Sequence, residues 1–278
     1  MAKGIGLIGN FKGKVGNMVG YKLTDSNSGN TQGIRVYQPI VKNPKTAAQA
    51  EQRAKLAPIN ATYRALKMVI DRGNEGLPYG NKSRLAWLKQ AFKAEGMPWF
   101  EKGKQVTNPV ICQLTKGSLP NLNWDVVDED QLQIVCHGIT SETDVTTVGA
   151  VSAKLLADYP QLKAGDQITI VLVHGQDQAI TSEVTSFVLD DTSAENISIF
   201  TAGANYLEVK SSLFYDTAAV IVSREGVNGE HLRSTTNLVI TSTNAGAVPY
   251  DEQSKTAAIE SYMSSAAVNA DWAEESIQ

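Results

Sequence analysis

Gln167-Ile168-Thr169-Ile170-Val171-Leu172-Val173 alternates polar and apolar at first, then runs apolar without a break. Alternation with period two marks a strand with one buried face, and a continuous short apolar run marks a strand covered on both. Such a segment belongs in the middle of a sheet, with Ile170 and Leu172 on one face. Lys163-Ala164-Gly165-Asp166 just before it reads as a turn. Six more short strands are predicted at 131–137, 184–189, 197–201, 206–209, 218–223 and 237–241, separated by polar turns. Seven strands at this spacing predict an all-β, immunoglobulin-like sandwich. Residues 110–114 read as a first strand of that region, and 151–158 fit either a strand or a short helix. Residues 224–230, with Gly226 and Gly229, read as a hairpin loop. An acidic helix is expected over 251–273, with Ile259, Tyr262, Met263 and Ala266 free to pack on the sandwich or on a partner.

The first part of the chain has a different pattern. Pro44 pushes Asn43 towards extended backbone. Thr46 is then placed to cap a helix, with Gln49 completing a capping box and Glu51–Lys55 adding an i,i+4 pair. Leu56, Ile59, Tyr63, Leu66 and Ile70 keep helical spacing through Pro58, which favours one kinked helix over two short ones. Residues 72–80, rich in glycine, form a loop. Ser83 is expected to cap a second helix carrying Leu85, Leu88 and Phe92, with Gly96 beyond its end. Trp87, Trp99 and Phe100 either close a small helical core or stack on bases.

Residues 1–42 are glycine-rich. Gly4-Ile5-Gly6-Leu7-Ile8-Gly9 matches G-x-G-x-x-G, but a dinucleotide fingerprint needs a buried strand before it and a helix opening inside it. Only three residues precede Gly4. Gly13-Lys14 is followed by Val15, so no hydroxyl is in place for a phosphate-bound magnesium ion. A small sheet is expected instead, with strands at 19–23 and 34–37 joined by an exposed polar loop over 24–33.

Phe11, Gly13-Lys14-Val15-Gly16-Asn17, Val19-Gly20-Tyr21, Ile34-Arg35 and Asn43-Pro44-Lys45-Thr46 with Ala48-Gln49 and Gln52-Arg53 form one string of motifs. The string resembles the opening of an uncharacterised protein family of Bacteroidetes bacteria and their phages, over roughly residues 4–56. The long 24–33 loop departs from that pattern. The resemblance implies no chemistry; it implies a phage-encoded or mobile-element origin.

Charge is divided sharply. Residues 1–106 carry 18 Lys and Arg against 6 Asp and Glu, and residues 107–278 carry 7 against 23. The balances are +12 and −16, within a net charge of −4. Opposed halves suggest a basic α/β domain over 1–106, an acidic β-sandwich over 107–250 and a helical tail over 251–278, with residues 107–278 expected to fold by themselves. A basic domain fits a polyanion, with nucleic acid the first candidate, or an acidic protein neighbour. Lys12, Lys14, Arg53, Arg64 and Lys67 are the candidate binding residues.

No catalytic or metal motif is present. His137, His174 and His231 are scattered, and Cys136-His137 on one strand would point to opposite faces. Asp125, Asp128 and Asp130 lack the glycine and closing glutamate of a calcium loop. Cys112 and Cys136 give no disulfide framework, although one bridge between them stays open. No apolar run is long enough to span a bilayer, and Lys3 followed by glycines does not read as a secretory signal. The expectation is a non-enzymatic, cofactor-free structural or assembly protein of a phage virion, located in the host cytoplasm or in the particle. It would associate with itself, with other structural proteins or with nucleic acid, and not with membrane. A nucleic-acid-binding accessory protein and an adhesin-like binding module are the alternatives.

Overall fold

The computed structural model describes residues 13–25, 29–37, 46–127, 131–175, 179–210, 217–226, 229–240 and 250–264. The chain divides into two compact units, 1–44 and 45–278.

In the first unit, β1 (Gly13–Val15), β2 (Met18–Asp25) and β3 (Gly29–Val36) form an antiparallel sheet in that order. Gly16, at φ +55°, takes the left-handed turn between β1 and β2 at little cost. The expected 24–33 loop is largely strand: Thr24 pairs with Asn30 and Asp25 with Gly29. Ladder bonds use the backbone alone, so polar side chains do not end a strand.

The second unit opens with α1 (Ala47–Ala65), α2 (Lys67–Ile70) and α3 (Asn81–Ala91). Thr46 caps α1 as expected, its Oγ1 accepting from the Gln49 N–H at 3.4 Å. The reciprocal arm of the capping box is not made, and Gln49 Oε1 is buried without a partner among the described residues. With one long bond, Thr46→Ala is expected to cost about 0.5–1 kcal/mol in a urea melt. A change indistinguishable from that of an exposed control, Lys93→Ala, would show that the cap contributes nothing.

Helix α1 passes through Pro58 and ends two turns later at Leu66. The buried stripe is Ala50, Ala54, Pro58, Ile59 and Thr62, whereas Leu56, which shares the helical spacing of the apolar positions, is 41% exposed. Buried Thr62 ties the helix down: its Oγ1 donates to the Pro58 carbonyl and accepts from the Val110 N–H. Ser83 does not cap α3. Gly80, at φ +84°, precedes that helix, and buried Ser83 donates to the Ile70 carbonyl while receiving bonds from Asn74. The buried face of α3 is Ser83, Trp87 and Ala91, and Leu85 points to solvent.

After β4 (Gln113–Thr115) come β5 (Trp124–Val127), β6 (Gln131–Val135), α4 (Val148–Asp158) and β7 (Gln167–His174). Residues 151–158 are therefore helical, capped by Thr147. Then follow β8 (Thr181–Val188), β9 (Phe200–Ala202), β10 (Tyr206–Val209), β11 (Thr217–Glu225), β12 (His231–Arg233), β13 (Thr236–Asn237) and β14 (Val239–Ile240). The last helix is α5 (Glu252–Ser264); the expected continuation to 273 lies outside the described residues.

These strands make one antiparallel sheet in the order β5-β6-β10-β9 and a second in the order β12-β11-β7-β8, with β14 also on β11. A two-stranded ladder joins β13 to β4. The fold is mixed helix and antiparallel sheet.

Strand β7 is central, as its composition predicted, and its two faces enter two different cores. Ile168, Ile170 and Leu172, with Ala218, Val220 and Val222 of β11, meet Ile134, Leu207, Phe200 and α4 residues Val151 and Leu155. Val171, Val173, Ala219 and Ile221 point the other way, onto Ile59, Leu66, Ile70, Trp87 and Leu114. This second core corrects the expected boundary at 106/107. Helices from the basic part and strands from the acidic part bury one another, so the division falls before α1. Helix α5 belongs here too: it packs on α1, buries Ala258 in the same core, and Ser261 Oγ accepts from the Lys102 N–H.

Candidate polyanion-binding face

A cation is available to a ligand only if the protein has not already used it. Lys55 is held at 2.7 Å by Glu51, whose carboxyl lies below its ordinary range chiefly because of that bond. The Lys55 ammonium also stands 5.7 Å from the Trp99 ring centre, on which Lys255 of α5 lies at 5.8 Å. The Arg84 guanidinium covers Tyr63 at 4.5 Å. These groups are part of the packing.

Arg53, Arg64 and Lys67 are exposed, and no ion pair among the described residues involves them. Eleven residues is close to three whole helical turns, which puts Arg53 and Arg64 on one side of α1, about 16 Å apart along its axis. Lys67 follows at the start of α2. Residues 45–106 carry 12 Lys and Arg against 5 Asp and Glu, so the surroundings share their sign. Lys14 belongs to the first unit, where it is exposed on β1 with its ammonium 3.6 Å from the centre of the Tyr37 ring. Lys12 lies outside the described residues.

Two arginines escaped the sequence reading. Arg72 is exposed beyond α2, its guanidinium 5.5 Å from the Tyr79 ring. Arg233 of β12 donates from Nε to the Arg72 carbonyl at 3.0 Å. Both line a hollow of about 140 Å³ with Met68, Val69, Val184 and Ser186. The Glu75 carboxylate anchors the adjoining loop by accepting from Ser118 N–H, Ser118 Oγ and Arg233 N–H, and these bonds depress its pKa against the opposing effect of burial. Arg233 sits in the acid-rich part of the chain, so charge counting could not place it beside a basic helix.

Other candidates are used structurally. Trp87, Trp99 and Phe100 are at most 9% exposed, which removes them as base-stacking platforms. Burial pushes the Cys112 and Cys136 thiols up to about 12, so neither is a thiolate at neutral pH. Cys136 lies in the core against α4 and Cys112 in the core against α1, on opposite sides of the central sheet. That arrangement excludes a bridge between them. His137 Nδ1 is 2.8 Å from Asp158, and His174 Nε2 is 3.9 Å from Glu183. Among the described residues, no group of three or more His, Cys, Asp and Glu side chains converges to hold a metal, and no helix is long and apolar enough to cross a membrane. Comparison with protein-family models, curated proteins and solved structures finds no match.

Proposed function

We propose that this chain is a non-enzymatic structural or assembly protein of a phage particle, and that its basic helical face contacts nucleic acid. The observation carrying the proposal is that Arg53, Arg64 and Lys67 are exposed along α1 and the start of α2 with no carboxylate partner among the described residues, while nearby Lys55 and Arg84 are committed to packing. A helix offering unneutralised cations to solvent is suited to phosphates spaced along a nucleic-acid backbone. The resemblance of residues 4–56 to a family found in phages supports the particle setting, in the virion or the host cytoplasm.

The two larger sheets form an immunoglobulin-like sandwich in this reading. What supports it is strand order: β5-β6-β10-β9 corresponds to A-B-E-D, and β12-β11-β7-β8 to G-F-C-C′. The departures are α4 between the second and third strands and the lack of a bridged cysteine pair. Sandwiches of this kind serve as assembly modules because their rigid sheets hold loops and edges in place.

The test is titration of the full chain with labelled single-stranded DNA over a salt series. Three phosphate contacts should give log K against log[salt] a slope of about −2, and replacing Arg53, Arg64 and Lys67 together with Ala should flatten it towards zero. Absence of binding at low salt would transfer the basic face to an acidic protein neighbour.

A further inference from the structure

A sheet edge exposes a row of unused N–H and C=O groups, and proteins usually blunt such edges by shortness, charge, proline or a bulge. Three of the four ends of the larger sheets follow that rule. Strands β5, β9 and β12 have 4, 3 and 3 residues, and β12 carries His231 and Arg233. Strand β8 does not follow it. It has 8 residues, Thr-Ser-Glu-Val-Thr-Ser-Phe-Val, with no proline, lysine or arginine. Its register with β7 is unbroken from Thr181 to Val188. None of its backbone groups bonds outside that ladder among the described residues.

Solvent reaches two valines along this edge as well as Thr181 and Ser186. Val184 and Val188 are 42% and 50% exposed. Both lie on the face of the sheet that carries Val171 and Ser182, whose Oγ bonds to the Ala65 carbonyl of α1. Met68, 76% exposed, lines the same hollow as Val184. The helical layer thus stops short of β8 and leaves valines beside an open ladder.

We propose that β8 is a self-association edge, on which the β8 of a second copy of this chain adds antiparallel to make one sheet through both molecules. The composition selects a second copy. The strand has one ionisable residue, Glu183, and it projects to the face opposite Val184, so the two paired strands set no like charges of their own against each other on the valine side. A twofold axis normal to the sheet pairs residues of equal parity. The register centred on Ser186 sets each Val184 against the other copy's Val188, giving two apolar cross-strand pairs. Unused ladder bonds supply the attraction, and the valines supply the register.

The experiment is sedimentation equilibrium of the full chain over a concentration series at low and high salt. The expected result is a reversible dimer of the 29.9 kDa chain that persists at high salt. Val184→Lys with Val188→Lys should weaken it by about a hundredfold or more, since lysine is the usual device for blocking an edge. Leu85→Lys, at an exposed apolar position on α3, should leave it unchanged. Ser186→Lys and Ser186→Glu, each alone, should weaken it several-fold, and mixing the two should restore it. Circular dichroism establishes that each variant is folded, and the Ser186 pair decides the matter if the valine variant is not. A monomer at every concentration, a dimer lost in high salt, or a dimer untouched by the β8 changes would each overturn the proposal. The proposal rests on the ladder of β8 and not on nucleic-acid binding, which the salt series of the titration tests separately.

Discussion

Residues 107–278 expressed alone are expected to stay unfolded, contrary to the independence that charge and strand spacing suggested. Without α1–α3, the sheet formed by β12-β11-β7-β8 would have one face largely uncovered, since only Val110, Cys112, Leu114 and Ala258 of its buried cover remain in the fragment. Val171, Val173, Ile180, Ile221 and Leu238 would lose much of their cover to water. Burying a side chain of that size contributes about 1.5–3 kcal/mol, so five of them amount to roughly 7–15 kcal/mol. A whole domain is stable by about 5–15 kcal/mol, so removing the helical layer cancels most or all of it. Residues 45–278, which keep both cores, should fold and melt as a unit. Circular dichroism and a urea melt of the two fragments check this, and a cooperative transition in 107–278 would show that the helices add little to the sheet.

A large effect of a single polar substitution is expected at Asp166, in the turn before β7. Its side chain is 1% exposed. Both carboxylate oxygens receive the Arg224 guanidinium, Nε to Oδ1 and Nη2 to Oδ2, the latter at 2.6 Å, and Oδ2 also accepts from the Lys163 N–H. Arg224 reaches on to the Gln161 carbonyl, and its own pKa is raised, chiefly by the bond to Asp166. Two neighbouring strands are joined at one end, since Gln167 pairs with Ser223. Asp166→Ala removes the acceptor and leaves a partly buried guanidinium unpaired, a change that usually costs 3–5 kcal/mol. Arg224 keeps some access to water, so about 3 kcal/mol is expected. Replacing Arg224 with Met in the Asp166→Ala background should recover part of that loss. Urea melts of the single and double variants measure it, and a loss under 1 kcal/mol would mean that the pair is solvated in practice.

The candidate face was legible because its determinants are local. Helical period and side-chain charge place Arg53 and Arg64 on one side of α1 without any tertiary information. Arg72 and Arg233 were not legible as a pair, because 161 residues separate them and their meeting depends on how β12 lies against the end of α2. Ser83 shows the same limit at a single residue. A serine near a helix start suits a cap, but here a buried carbonyl at Ile70 needed a donor and took it.

By itself the sequence determined the helix that starts at Thr46, its continuation through Pro58, the central position of β7 and the sharp division of charge. Each follows from neighbouring residues or from a repeat along one segment. The tertiary structure alone decided that helices from the basic part cover strands from the acidic part, that Leu56 and Leu85 face solvent, and that β8 is left open. Periodicity records which side chains are apolar and which share a face. What covers that face is settled by the rest of the chain, through contacts between residues far apart in sequence.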